Sequence, residues 1–229
     1  MDTTEFKATL TRYLKARIPF ISIRSAERSR VLELLREVGT NLQAPIFVHT
    51  LSQGTRELGS NRGVNDDRSV TGAVDFASQQ FAQRQNLTVV LTEVSDIEDD
   101  TPAARHLLDV VMLYRIDRRD DGTLSASVMV MLAAEHSGSV VVITTKPVWG
   151  QLQRAGMSLV LSAPSEDEML AIVQENLSAY RAHFPIEWDE ADERRAAAAL
   201  AGISRIEAEN IIATLLANGR ITKADMVEV

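Results

Sequence analysis

The sequence predicts an α/β protein in which a parallel β-sheet flanked by helices is followed by a small all-helical subdomain. Two patterns support this prediction. Up to about residue 163, short continuous apolar segments of strand length alternate with segments whose apolar residues recur at helical spacing. From Pro164 onwards only the helical spacing remains. We therefore expect an α/β core domain over 1–163 and a helical subdomain over 164–229.

The individual elements follow from these patterns and from local stop and start signals. Strands are assigned to apolar runs too short for a helix, of which SVVVITT at 139–145 is the clearest. The Thr101-Pro102 pair supplies an N-cap and a first-turn proline for a helix. We expect strands at 19–25, 45–51, 87–91, 139–145 and 157–161, and helices at 4–16, 26–38, 70–83, 101–114, 165–184, 187–200 and 205–217.

One long polar segment interrupts the pattern between the second strand and the third helix. Residues 53–68 contain Gly54, Gly59 and Gly63 and no hydrophobic periodicity. Long segments without regular structure are often mobile or functional. We expect a mobile loop that binds a partner, and its candidate contact residues are Gly54, Arg56, Arg62 and Arg68.

The composition excludes several classes of function. The net charge of −8 argues against nucleic acid as the main ligand, and the absence of cysteine excludes disulfides and thiolate metal sites. The histidines are scattered without metal-ligand spacing, so no metal site is expected. No apolar stretch approaches the roughly 20 residues that span a bilayer, and the acidic N-terminus is unlike a signal peptide. We expect a cytoplasmic protein with no membrane contact.

The junction between the first strand and the second helix is the most informative segment. In P-loop ATPases this turn carries GxxxxGK[ST], whose glycine-rich backbone wraps the phosphates. Here residues 24–30 (RSAERSR) contain neither glycine nor lysine. Glu27 is expected in the first helical turn, where a carboxylate occupies the positive end of the helix dipole and would repel a phosphate. The scaffold is thus P-loop-NTPase-like, but the junction lacks the means to hold ATP.

The order and spacing of several segments resemble the AAA ATPase superfamily. More narrowly, the chain resembles the N-terminal, degenerate ATPase-like domain of a two-part AAA family that is named after a conserved chloroplast reading frame. One departure is an extra segment at about 115–130. A helix is expected over 124–136, although 127–132 could equally be extended. The segments that carry the resemblance are LKARIPFI at 14–21, FVHTLSQG at 47–54, LTEVSDIEDDTP at 91–102, VITTKP at 142–147 and LAGISRIEAEN at 200–210.

The resemblance implies remnants of a nucleotide site at Glu93, Thr144, Thr145 and Arg205. Glu93 stands where an AAA ATPase has its Asp-Glu pair, but Thr92 replaces the first carboxylate. Thr144 and Thr145 stand where a polar sensor would face the γ-phosphate, and Arg205 could imitate an arginine of the lid. Ordinary surface or strand-end roles explain each of them better, and no catalytic residue is predicted.

Two functional hypotheses follow. In the first, this segment is a pseudo-ATPase without a cofactor that serves in self-assembly or binds a protein partner. In the second, it is part of an active AAA remodelling enzyme whose ATP and magnesium lie in a downstream module or in a non-standard site. The resemblance favours the first for this segment, and it implies a complete AAA module after Val229.

Overall fold

The computed structural model describes residues 1–84, 86–113 and 138–227. These residues divide into two compact units, an α/β unit over Thr4–Leu161 and a helical unit that combines Met1–Thr3 with Ser162–Val229. None of the described helices combines the length and the apolar character needed to cross a lipid bilayer. The extra segment at 115–130 and the ambiguous stretch at 124–136 lie outside the described residues.

The α/β unit alternates strands and helices in the predicted order. Apart from one short 3₁₀ helix at Ser95–Ile97, the elements among its described residues are α1 (Thr3–Lys15), β1 (Phe20–Arg24), α2 (Arg28–Leu42), β2 (Ile46–Thr50), β3 (Gly54–Glu57), β4 (Gly63–Asn65), α3 (Val70–Gln83), β5 (Leu87–Thr92), α4 (Pro102–Leu113), β6 (Gly138–Thr144), α5 (Gly150–Ala155) and β7 (Met157–Val160).

The sheet confirms the predicted fold class. Its seven strands lie in the order β4-β3-β2-β5-β6-β1-β7. Strands β2, β5, β6, β1 and β7 are parallel, whereas β3 and β4 are antiparallel to their neighbours. Because parallel strands share a direction, the carboxyl ends of β1, β5 and β6 meet at one edge of the sheet, which is where open α/β sheets bind their ligands.

The core explains why the central strands are almost continuously apolar. Every residue of β5 and β6 is buried. The main cluster joins Phe20, Val89 and Val140 of the sheet to the buried faces of α3, α4 and α5. Ile21 and Ile23, which alternate with Phe20 along β1, are also fully buried. The sheet is therefore covered on both faces, as parallel sheets are.

The interpretation of 53–68 as a loop is wrong, because β3 and β4 form an antiparallel hairpin that extends the sheet beyond β2. Gly54 opens the hairpin with φ of 71°, and a Cβ there would lie 2.4 Å from the carbonyl oxygen of Asn65. Only glycine fits this left-handed, crowded position without strain. Thr55 is fully buried beside His49. Whether the hairpin moves stays a prediction.

The helical unit contains α6 (Glu166–Tyr180), α7 (Glu190–Leu200), α8 (Arg205–Leu216) and a 3₁₀ turn at Lys223–Val227. Its core centres on Trp188, whose side chain is 2% exposed and whose Nε1 donates to the carbonyl of Thr222 at 2.9 Å. Each of the three helices begins with a capping box, in which the N-cap and N3 side chains satisfy backbone amides reciprocally. The three N-cap and N3 pairs are Ser165 with Glu168, Asp189 with Asp192 and Ser204 with Glu207.

Candidate functional site

The junction between β1 and α2 is held by short polar contacts. The Ser25 amide donates to the carbonyl of Thr144 at 2.9 Å, and the Glu27 amide donates to the Ser25 hydroxyl at 3.1 Å. Arg28 is the first residue of α2, and no side chain caps this helix. The backbone therefore turns from strand to helix within three residues, without room for a wide phosphate-binding loop.

The expectation that Glu27 lies in the first helical turn is wrong, because Glu27 is the N-cap residue that precedes α2. Its carboxylate accepts from Nη1 of Arg30 at 2.7 Å, and the two side chains are only 6% and 10% exposed. Burial of a carboxylate is costly unless a cation compensates it, and Arg30 provides that cation. The start of α2 thus contains a buried ion pair.

A second ion pair crosses the crevice between α2 and the end of β5. Glu93 directly follows β5 and has the left-handed φ of 62°, which is uncommon for a residue other than glycine. Its carboxylate pairs with the guanidinium of Arg28, and both side chains are nearly half exposed. Glu93 therefore lies at the carboxyl edge, as predicted, but its charge is already matched by a residue of the same unit.

The strand-end threonines bind neighbouring backbone. The hydroxyl of Thr92 is buried and donates to the carbonyl of His49 at 3.0 Å. The hydroxyl of Thr144 donates to the carbonyl of Lys146 at 2.7 Å, whereas Thr145 lies exposed in the turn after β6. The hydroxyl protons of Thr92 and Thr144 thus form hydrogen bonds to backbone carbonyls of this chain.

Arg205 lies in the helical unit, at the first residue of α8. Its Nε donates to Glu209 at 2.7 Å and its Nη2 donates to Glu175 at 3.3 Å. Two carboxylates of its own unit therefore engage this guanidinium.

The candidate contact residues of the segment 53–68 differ in their exposure. Arg56 is half-buried and donates from Nη1 to the carbonyl of Asn61 at 2.9 Å, whereas Arg62 and Arg68 are exposed. Gly54 has the structural role described above.

His49 lies on β2 beside the hairpin, and Asp67 follows β4. Burial lowers the pKa of His49, against the opposing effects of the Arg68 backbone and the Asp67 charge. Hydrogen bonds from the backbone and side chain of Ser69 lower the pKa of Asp67. His49 is accordingly a neutral, buried imidazole near physiological pH.

Two arginines at this edge were not predicted from the sequence. Arg28 forms the ion pair with Glu93, and Arg24, the last residue of β1, lines a cavity of about 210 Å³ together with Lys146. A signal was present for Arg28, because a cation in the first turn opposes the helix dipole and needs a reason to be there. No such signal marks Arg24, whose position depends on the strand register.

Two family models match the chain. The model described as "SpoVK-like AAA ATPase, N-terminal domain" matches residues 6–144, and the model described as "SpoVK-like AAA ATPase, second domain" matches residues 167–229. No curated protein matches the chain in sequence.

Solved structures share the fold at low sequence identity. A point mutant of RuvB from Thermotoga maritima is 13% identical with a TM-score of 0.57, and the alignment covers 98% of this chain and 68% of that one. A second RuvB mutant gives 11% identity and a TM-score of 0.59, covering 99% and 68%. The HORMA:CdnC:Trip13 complex of E. coli MS115-1 gives 10% and 0.57, covering 99% and 77%. At these identities the likeness concerns the fold alone.

Proposed function

Because the chain belongs to the SpoVK-like AAA ATPase family, we propose that it is an AAA module that does not hold nucleotide and that serves assembly or partner binding within an AAA ATPase. The family assignment agrees with the resemblance to the AAA superfamily. The narrower assignment to the two-part chloroplast-reading-frame type remains a prediction, as does a cytoplasmic location, with which the absence of cysteine is consistent.

The observation that carries this proposal is the pair of ion pairs at the start of α2. A helix N-terminus binds phosphate through free amides and a positive dipole. Here the buried carboxylate of Glu27 opposes a second negative charge, and the Arg28–Glu93 pair spans the adjoining crevice. Arg28 is a cation, but binding a phosphate would require it to leave Glu93.

The metal half of an ATP site also finds no support in these residues. Magnesium in such sites needs carboxylate or hydroxyl oxygens that face the phosphates. Thr92 occupies the position of the first carboxylate, and its hydroxyl is buried against His49. Among the described residues, no group of three or more histidine or acidic side chains could hold a metal ion. These observations support the proposal that the chain does not bind ATP with magnesium.

Partner binding is supported by exposed arginines in and next to the hairpin. Arg62 lies in the turn between β3 and β4, and Arg68 lies between β4 and α3, in a chain whose net charge is −8. The structural neighbour from E. coli MS115-1 is a complex of HORMA, CdnC and Trip13. The same arrangement in this chain would use charged surfaces without any nucleotide chemistry. Nucleic acid is a poorer partner because the overall charge repels phosphates.

Calorimetric titration with ATP and magnesium tests the loss of nucleotide binding. We expect no heat of binding in the micromolar range, because nothing in the junction replaces a phosphate-binding loop. The double variant Arg28→Ala/Glu93→Ala removes the pair that spans the crevice and serves as a comparison. Micromolar binding by the natural sequence would contradict the proposal.

Light scattering tests the assembly role. We expect the chain to self-associate as its concentration rises. The charge reversals Arg62→Glu and Arg68→Glu should change that association. Arg84→Glu, on an exposed residue after α3, is the matched control. A chain that stays monomeric at high concentration leaves partner binding as the proposed role.

The alternative is an ATP-hydrolysing remodelling enzyme to which this chain contributes a non-catalytic part. The word ATPase in both family descriptions favours it for the whole protein. In that case ATP and magnesium act in a further AAA module, and hydrolysis is measured with and without this chain attached.

A further inference from the structure

A cavity of about 210 Å³, lined by both polar and apolar side chains, opens at the carboxyl ends of β1, β6 and β7, on the face of the sheet that α5 covers. The register of the ladder places its walls together. Arg24 pairs with Thr144 of β6 and with Val160 of β7, and Ser22 pairs with Ser158. Since side chains two residues apart share a face of a strand, Ser22 and Arg24 both point to this side.

The charge of the cavity is only partly compensated. The guanidinium of Arg24 is exposed and has no ion-pair or hydrogen-bond partner in the described part of the chain. Lys146 pairs with Glu98 at 3.4 Å, but its side chain is 74% exposed, so this contact is weak. An unmatched cation in an acidic chain is the electrostatic setting that attracts an anion.

The floor of the cavity offers hydrogen-bond donors. The hydroxyls of Ser22 and Ser158 are 2.8 Å apart. Only one of the two can donate to the other, so one hydroxyl proton remains free for a ligand. The amide of Gln153, which also lines the cavity, is a further donor. Thr144 contributes no donor because its proton is used by the carbonyl of Lys146.

We infer that this cavity binds an oxyanion, either a phosphate or a carboxylate group, with Arg24 as the principal ligand. A guanidinium presents two parallel N–H groups that match the two oxygens of such an anion. The volume is below the roughly 300 Å³ at which pockets for whole small molecules begin. The site therefore takes one anionic group rather than an entire nucleotide. This inference is independent of the proposed loss of ATP binding.

Titration of the ¹⁵N-labelled chain with inorganic phosphate at constant ionic strength tests the inference. We expect saturable shifts of the amides of Val148, Gln153 and Ser158. Arg24→Gln should weaken binding about tenfold or more, because it removes a charge-assisted hydrogen bond. Lys146→Gln should have a smaller effect, since Lys146 already pairs with Glu98. A parallel titration with acetate distinguishes a carboxylate site from a phosphate site.

The matched control is Arg62→Gln, which makes the same charge change at an exposed arginine of the hairpin. Its affinity for phosphate should equal that of the natural sequence. Shifts that do not saturate with either anion, or equal weakening by Arg24→Gln and Arg62→Gln, would overturn the inference. Arg24→Gln also separates the two ideas. Micromolar binding of ATP by the natural sequence contradicts the proposed function in either case, and only binding that Arg24→Gln also weakens would involve this cavity.

Discussion

The start of α2 and the starts of the three helices in the helical unit differ in how their first backbone amides are satisfied. At α6, α7 and α8 a capping box satisfies the first amides with nearby side chains. At α2 no side chain caps the helix, and the N-cap residue Glu27 turns its carboxylate to Arg30. All four helices begin with an acidic residue nearby, and at α7 Asp192 is also buried and pairs with Lys223 at 3.2 Å. Of these four starts, only that of α2 has no acidic carboxylate that caps a backbone amide.

The two kinds of helix start differ in what satisfies them. A capping box satisfies the first amides with side chains of the same helical turn. The start of α2 depends on a buried cation and lies beside a second ion pair between Arg28 and Glu93. We conclude that charges, rather than caps, define the β1–α2 junction, and that it is the more sensitive of the two regions to substitution.

The largest effect is expected from Glu27→Ala. This change leaves the buried guanidinium of Arg30 without the carboxylate that faces it, which costs about 3 kcal/mol or more of the free energy of unfolding. Urea denaturation measures the loss. Glu27→Gln keeps an acceptor in place and should cost less. If Glu27→Ala loses under 1 kcal/mol, the buried pair is not what stabilises the junction.

A smaller effect is expected from breaking one capping box. Ser204→Ala removes the acceptor for the Glu207 amide and should cost about 1 kcal/mol, whereas Ser204→Gly should cost only a few tenths. The fluorescence of Trp188, which lies in the core of the helical unit, reports this transition. A negligible loss for Ser204→Ala would mean that the hydroxyl contributes nothing as a cap.

The two units should also differ in their response to pH. His49 has a lowered pKa because it is buried, so the unfolded chain takes up its proton more readily than the folded one. Stability of the α/β unit should therefore decrease as the pH falls below the ordinary value of 6.5, and the decrease should end below the lowered pKa. The variant Trp188→Phe retains only Trp149, which lies in the α/β unit. Urea denaturation of this variant at several pH values, followed by tryptophan fluorescence, measures the decrease in stability.

The helical unit should respond only at lower pH. Hydrogen bonds from Ser204 lower the pKa of Glu207, so the stability that they give is complete above the ordinary value of 4.5 and is lost as the pH falls through the lowered pKa. Trp149→Phe, which retains Trp188, isolates this unit. His49→Gln is the control, because it should abolish the response of the α/β unit near pH 6 and leave that of the helical unit unchanged.

The smallest effect is expected from Arg28→Gln. The Arg28–Glu93 pair is nearly half exposed, and such pairs contribute about 0–1 kcal/mol to stability. Urea denaturation should therefore detect little change, in contrast to Glu27→Ala at the preceding residue. A loss above 2 kcal/mol would place Arg28 among the structural residues of the junction.

The sequence was sufficient for the elements whose pattern is dominated by burial. Strands β1, β2, β5 and β6 were predicted because a strand covered on both faces is nearly continuously apolar. Strand β7 was also predicted, although only Leu159 is buried in it. The helices other than α5, which was not predicted, followed from their spacing and, at α4, from the Thr101 cap, which the structure confirms by a bond from the Ala104 amide to the Thr101 hydroxyl.

Polar elements were missed because their partners are distant in sequence. The β3–β4 hairpin has no apolar alternation, and Thr55 is buried only because it pairs with His49 across the ladder. Arg24 lines a cavity only because the register brings β6 and β7 beside it. The pairing of Glu27 with Arg30 was foreseeable from the three-residue spacing. That both residues would be buried was not.

The hairpin gives the sheet a blunt border. Strand β4 has only three residues, so an approaching strand would find few backbone groups to pair with. Natural proteins use such short terminal strands to prevent one sheet from continuing into another. Copies of this chain, or its partners, would therefore have to recognise side chains rather than extend the sheet at this border. The polar segment that interrupts the sequence pattern thus acts as a barrier to uncontrolled polymerisation.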